Sequence, residues 1–296
     1  MSEDKAKEAW SADLSPAEAL EASRLEAFDK VLDARLHKLQ SAMLAKQQEM
    51  DRHLYRQFEA FHWLTQRLKI QGRLPPLRGW PLSPDVLLEL HEWIMATRPR
   101  LIVEFGSGSS TLVIADALSQ VGAGRLVSIE HSAHFGGKTQ ANLDREGLGK
   151  WVDLRVGELE PWQGEHLNTR EDQTVSWYPV ALLEDLQNID FVLIDGPPAK
   201  TCEFARYPAV PAVIDKLAPD AAVWLDDAAR GEEKRICQSW AEAFNCTFES
   251  VPMEKGLGVF TFERKPSVDT DTDTDTRIET PDDADTRPET PGDAER

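Results

Sequence analysis

With 296 residues, 29% of them charged, and a formal net charge of -19, the chain is long enough for one α/β domain with extensions or for two small domains. The acidity argues against general binding to a phosphate backbone, which needs an excess of Lys and Arg, so nucleic acid is not an expected partner. Three irregularly spaced cysteines, Cys202, Cys237 and Cys246, make neither a disulfide framework nor a zinc module, and no run reaches the roughly 18 apolar residues of a membrane span.

The opening Met-Ser-Glu-Asp-Lys lacks a basic segment followed by an apolar one, so the expectation is a cytoplasmic protein with a disordered start over residues 1–16. From Ala17 to Ile70 there is no proline or glycine and good helix formers predominate. Leu25, Phe28, Leu32, Leu36, Leu39 and Met43 follow a three-four spacing, which resumes at Met50, Leu54, Phe58, Phe61, Leu64 and Leu68 after a break around Lys46. Residues 17–71 therefore read as a long helix, either in a coiled coil that joins copies into a homo-oligomer or bent into a hairpin near the break. His37, His53 and His62 lie in this region without a metal-ligand spacing.

Residues 72–84, Gly-Arg-Leu-Pro-Pro-Leu-Arg-Gly-Trp-Pro-Leu-Ser-Pro, read as a linker. Trp80 either anchors it or covers a nearby crevice. Ser83 and Pro84 then start a helix that Arg98-Pro99 ends. Leu101 to Thr111, Leu-Ile-Val-Glu-Phe-Gly-Ser-Gly-Ser-Ser-Thr, is a buried strand, a glycine turn and a helix start. Without Cβ atoms at Gly106 and Gly108 the backbone turns sharply and admits a ligand to the amides that open the helix. Dinucleotide sites carry a third glycine where this chain has Thr111, and Glu104 would repel a pyrophosphate while attracting an ammonium group. A cationic ligand suits this turn better than an anionic one.

Arg125 to Glu130 reads as a second strand ending in an acid, placed where such acids accept hydrogen bonds from ribose hydroxyls. Val152 to Val156 is a third strand, followed by Glu158, which is positioned to meet an adenine edge. Glu160 to Ser176 reads as a polar insertion. Ile189 to Ile194 runs into Asp195-Gly196-Pro197-Pro198, an acid at the carboxyl edge where open α/β sheets do chemistry. Arg206 onward starts a helix expected to continue through Leu217, and Ala221 to Leu225 is a strand ending in Asp226-Asp227. A final helix and a hairpin-like edge at Gly258 to Phe262 close the domain. Residues 265–296 are expected to be a disordered tail, since from 266 onward they hold eleven acids against three Arg and repeat Asp-Thr.

An acidic strand end followed by Gly-x-Gly resembles the first motif of class I methyltransferases. Val-Glu-Phe-Gly-Ser-Gly-Ser-Ser-Thr-Leu, Val-Ser-Ile-Glu-His, Val-Leu-Ile-Asp-Gly-Pro-Pro, Ala-Arg-Tyr-Pro-Ala and Leu-Asp-Asp-Ala-Ala-Arg occur in the order seen in the bacterial Methyltransferase domain 24 branch. The resemblance implies an α/β fold, a doubly wound Rossmann-like seven-stranded sheet over residues 85–264, its last strand antiparallel, preceded by the long N-terminal helix. It also implies S-adenosylmethionine as cofactor, with Glu104, Gly106, Gly108 and Ser110 at its methionine portion. Glu130 would take its ribose, Glu158 its adenine edge, and Asp195 would stand beside its sulfonium. Similarity to catechol O-methyltransferases implies Mg²⁺ on Asp195, Asp226 and Asp227, although Asp227 replaces an Asn; without metal, Asp195, Asp227 or His131 is the candidate base. The implied reaction is O-methylation of a small molecule or glycan. An oxidoreductase binding NAD or a nucleotide-sugar, and a coiled-coil adaptor with a degenerate cofactor domain, are the competing readings.

Overall fold

The computed structural model describes residues 15–77, 79–170 and 173–262. The expectations of disorder over most of residues 1–16 and over the tail at 265–296 lie outside them. Helix α1, Pro16–Arg67, is continuous for 52 residues, about 78 Å at 1.5 Å per residue. Its start is fixed by a reciprocal cap: Ser15 Oγ accepts from the Glu18 backbone N–H, and the Ser15 N–H donates to Glu18 Oε2 at 2.8 Å.

The hairpin alternative fails because the helix runs straight through Lys46. The apparent break there belongs to a longer period. Apolar residues fall at the first, fourth and eighth places of an 11-residue unit: Leu25, Phe28, Leu32; Leu36, Leu39, Met43; then Gln47, Met50, Leu54; then Phe58, Phe61, Thr65. Only Gln47 and Thr65 depart from it. Toward its end α1 gives Ala60 and Leu64 to the protein core, and Leu68 follows at its cap. Leu64 and Leu68, with Leu82 of the expected linker, pack with residues of the sheet, so the end of α1 and Leu82 share the core of the domain they precede. Each fully buried leucine contributes about 1.5–3 kcal/mol.

Helix α2, Pro84–Thr97, lies against both α1 and α3, Ser109–Val121. Ser83 is its first capping residue but makes no side-chain cap; its hydroxyl donates to Asp85 instead. Strands β1 (Leu101–Phe105), β2 (Arg125–Glu130), β3 (Val152–Val156), β6 (Ile189–Ile194), β7 (Leu217–Asp226), β8 (Cys246–Val251) and β9 (Leu257–Phe262) form a seven-stranded sheet in the order β3-β2-β1-β6-β7-β9-β8. The pairs among β3, β2, β1, β6 and β7 are parallel, and β9 is antiparallel to both its neighbours. Helix α4 (Ala133–Glu146) follows β2, and α6 (Gly231–Ala243) follows β7.

Strand periodicity explains the two cores. Leu101, Val103 and Phe105 enter the core that includes Trp177 and Trp240, while Ile102 enters the opposite core with α2 and α3. The expected insertion holds a two-strand ribbon, β4 (Glu160–Pro161) paired with β5 (Ser176–Trp177). The helix after Arg206 is shorter than expected. Helix α5 covers Ala209–Val213, a 3₁₀ turn follows, and Leu217 already begins β7; Pro208 and Pro211 limit the amides available to that helix. Among the described residues no helix is long and apolar enough to cross a membrane.

Candidate active site

The chain builds β1, β2 and β3 outward on one side, then returns to lay β6 and β7 on the other, so the topological switch falls between β1 and β6. Ligand crevices of open α/β sheets lie at the carboxyl ends of strands at such a point. Here Gly106 has φ +97°, and a Cβ on it would stand 3.2 Å from the backbone of Asp195 and Gly196. Glycine lets the ends of β1 and β6 close on each other. A Cβ on Gly108 would meet nothing within 4 Å. Thr111, found where dinucleotide sites have glycine, ties the turn together: its hydroxyl accepts from the Gly108 N–H at 2.8 Å and donates to Glu104 Oε2 at 2.6 Å.

Glu104 is fully buried beneath this turn, and Ser128 Oγ also donates to its Oε2, at 2.6 Å. Burial lifts its pKa to about 7 against the opposing pull of neighbouring hydroxyls. Its Oε1 makes no hydrogen bond.

Glu130 ends β2 in a different environment. Its Oε2 accepts from the Ser107 N–H at 3.0 Å and Ser107 Oγ at 3.1 Å, its Oε1 accepts from the Ser132 N–H at 2.8 Å, and His131 Nδ1 lies 3.0 Å from Oε1. Burial pushes the carboxyl up, but His131 and these donors outweigh it and bring its pKa below the usual value. The two acids are thus set apart, one ionised and one titrating near neutrality. Tyr178 packs against Phe105 and His131, is 1% exposed, and its hydroxyl makes no hydrogen bond. A side chain on Gly196 would collide with that hydroxyl.

At the ends of β6 and β7 stand Asp195, Asp226 and Asp227. Arg206, only 4% exposed, donates to the carbonyls of Asp195 at 3.1 Å, Pro197 at 3.4 Å and Asp226 at 3.0 Å. Its Nη1 is 3.0 Å from Asp227 Oδ2, which Arg230 also meets at 2.8 Å, and its Nη2 is 3.5 Å from Asp195 Oδ1. Lys255 Nζ lies 2.9 Å from Asp226 Oδ2 and 3.7 Å from Asp227 Oδ1, and it donates to the Pro81 carbonyl at 2.8 Å. Burial, reinforced by Asp226, raises the Asp195 carboxyl well above the usual range.

The three aspartates place ligand atoms within 4.8 Å of one another, and each has one oxygen without a hydrogen bond. Yet each aspartate already has a cation of the chain within 3.5 Å: Arg206 beside Asp195 and Asp227, Arg230 beside Asp227, and Lys255 beside Asp226. Two further positive charges would be unbalanced in a buried place, and Mg²⁺ requires a near-octahedral set of oxygens. As folded, the donor set fits its own lysine and arginines rather than Mg²⁺, and no step is assigned to a metal.

A crevice of about 500 Å³ opens over the switch point, lined by Gly106, Gly108, Ser110, Glu130, His131 and Asp195 among the residues expected from sequence. Four others are not in its lining. Glu104 is covered by the turn, Asp226 and Asp227 are enclosed by their cations, and Glu158 is exposed beyond β3. Asp227 therefore lacks the access a base needs. Pro75, Pro76 and Trp80 line the crevice from the expected linker, and the Trp80 ring sits 6.3 Å from Phe135 with Lys200 Nζ 5.4 Å above it. Sequence reasoning missed Tyr178, Lys200 and Lys255. Lys255 comes to Asp226 through the antiparallel register that sets Leu257 opposite Asp226, a pairing that no local motif announces.

The family model for a methyltransferase domain matches residues 103–228. No curated protein matches the sequence. Among solved structures, the chain is similar to a methyltransferase of Podospora anserina bound to SAH, with 15% identity, 70% of this chain and 88% of that chain covered, and a TM-score of 0.50. It is also similar to the O-methyltransferase TomG of Streptomyces achromogenes in complex with SAM (18% identity, 63% and 83% covered, TM-score 0.48). A third is the O-methyltransferase of Bacillus cereus in complex with SAH (19% identity, 63% and 84% covered, TM-score 0.47). The Podospora likeness is one of fold.

Proposed function

From the premise that residues 103–228 are a methyltransferase domain, we propose that this protein transfers the methyl group of S-adenosylmethionine to an oxygen of a small molecule or glycan in the cytoplasm. The observation that carries the reading is the crevice at the switch point, where an ionised Glu130, the open face of Gly108 and Asp195 share one wall. Glu130 accepts the ribose hydroxyls. Gly106, Gly108 and Ser110 admit the methionine portion, and Glu104 draws its ammonium from beneath the turn. The same acids disfavour NAD, whose pyrophosphate would face Glu104 across a turn that lacks the third glycine.

The cofactor supplies an activated methyl on a sulfonium. The protein's part is to align an acceptor oxygen behind that methyl, exclude water and take a proton. Asp195 lines the crevice, and its raised pKa makes it a stronger base than an ordinary carboxylate, so it is assigned the acceptor proton. Trp80 and the two prolines cover the site, and His131 holds Glu130. Incubation with isotopically labelled S-adenosylmethionine and a metabolite extract should give a labelled oxygen ether or ester, and Asp195→Asn should lower its rate without weakening cofactor binding. Label found only on nitrogen, or an undiminished rate in Asp195→Asn, contradicts the assignment.

A further inference from the structure

Within the 11-residue pattern of α1, Met50 and Leu54 share a cleft with Leu77 and Pro84 of the same chain, but contacts among the described residues do not account for the rest of it. Ala60 and Leu64, which it buries in the domain, are not positions of that pattern. Ten of the twelve repeat positions are apolar, and all ten are exposed, from 40% at Phe61 to 73% at Met43. An exposed leucine alone needs no explanation, but a contiguous apolar stripe of four units does. The period is itself informative. Eleven residues in three turns is 3.67 residues per turn, close to the free α-helix, so the stripe winds only gently around the axis and favours a straight or slightly right-handed pairing over the left-handed heptad coil.

We propose that the occupant of this stripe is the α1 stripe of a second copy, forming a two-chain coiled coil built on the 11-residue repeat. Three observations favour it. First, a partner that interlocks over four units needs the same period, and a second copy has it by construction. Second, each buried apolar side chain hides on the order of 100 Å², so ten supply on the order of 1,000 Å² per copy, against roughly 800 Å² per partner in a stable interface. Third, acids and bases alternate beside the stripe, as in Asp29, Lys30, Asp33 and Arg35, which suits like pairing with like and gives no cationic face for an anionic lipid surface.

The test is light scattering on the full chain at micromolar concentration, with helix content and thermal melting as controls for folding. The wild type should have about twice the 33.2 kDa chain mass. Leu39→Glu combined with Met43→Glu should halve it, while Ser41→Glu, on the opposite face of the helix, should not. Two deletions test the period directly. Removing eleven residues, 36–46, rotates the flanking halves by only about 20° and should keep the dimer, whereas removing five, 36–40, rotates them by about 140° and should abolish it. A wild type of one chain or of more than two, a double variant that stays dimeric, or two deletions that behave alike overturns the proposal.

Discussion

The crevice and α1 depart from the ordinary distribution of side chains in opposite senses. At the crevice, Glu104, Glu130, Asp226, Asp227 and Arg206 are polar and buried; along α1, Leu25 to Phe61 are apolar and exposed. Buried charge costs free energy unless it is paired and hydrogen-bonded, and each of these groups except one oxygen here and there is so held. An exposed apolar stripe has no such internal resolution. On the two proposals made above, the difference teaches where each region's function is completed: the crevice by a small ligand that fits groups already arranged, the helix by a second copy of the chain.

The strongest break of this comparison is Arg206→Met. It strands Asp195 and Asp227 without their buried cation and should cost about 3–5 kcal/mol, read as a shift in denaturant midpoint; a loss below about 1 kcal/mol means the network is not holding the site. Next, Gly108→Arg sends a long side chain into the crevice and should weaken S-adenosylhomocysteine at least about a hundredfold, ~2.8 kcal/mol, with an unchanged melting temperature. Undiminished affinity in the folded variant contradicts the turn as a ligand site.

Glu104→Gln should have a smaller effect, about tenfold or ~1.4 kcal/mol, and a distinctive pH signature. The wild-type carboxyl titrates at about 7 in the folded state, above its unfolded value. Its contribution to folding is therefore present at low pH and lost as pH rises through about 7, while the cationic cofactor prefers the ionised form and should bind more tightly over the same rise. Calorimetry in buffers of different ionisation heat should show proton release for the wild type and none from this group in the variant. Last come two expected nulls. Leu39→Glu should leave cofactor affinity alone, since the stripe and crevice are completed separately, and EDTA should leave methyl transfer unchanged because Lys255, Arg206 and Arg230 already balance the three aspartates. Loss of activity with EDTA, restored by Mg²⁺, would displace Lys255 from its assigned role.

Much of the site was legible because strand ends announce themselves. Leu101 to Phe105 ends in Gly106, Arg125 to Ile129 ends in Glu130, and Ile189 to Ile194 ends in Asp195; in each case a short apolar run stops at a polar or turning residue. Residues joined by pairing across the sheet were not legible. Lys255 needs the β7 to β9 register, and Tyr178 sits just past a polar stretch yet is packed beneath the crevice. The partners of Glu104 were not legible either: Thr111 at the start of α3 and Ser128 of β2 both donate to its Oε2. In α1 the helix was read from Ala17, without the Ser15 and Glu18 cap that fixes its start, and Lys46 read as a break because a seven-residue frame was laid over an 11-residue repeat.

The most direct trial of the central claim is a calorimetric titration of the whole protein with S-adenosylhomocysteine and, separately, with NAD. The account predicts saturable binding of one S-adenosylhomocysteine per chain, lost in Gly108→Arg, and no saturable heat from NAD. Saturation by NAD with none from S-adenosylhomocysteine would contradict it.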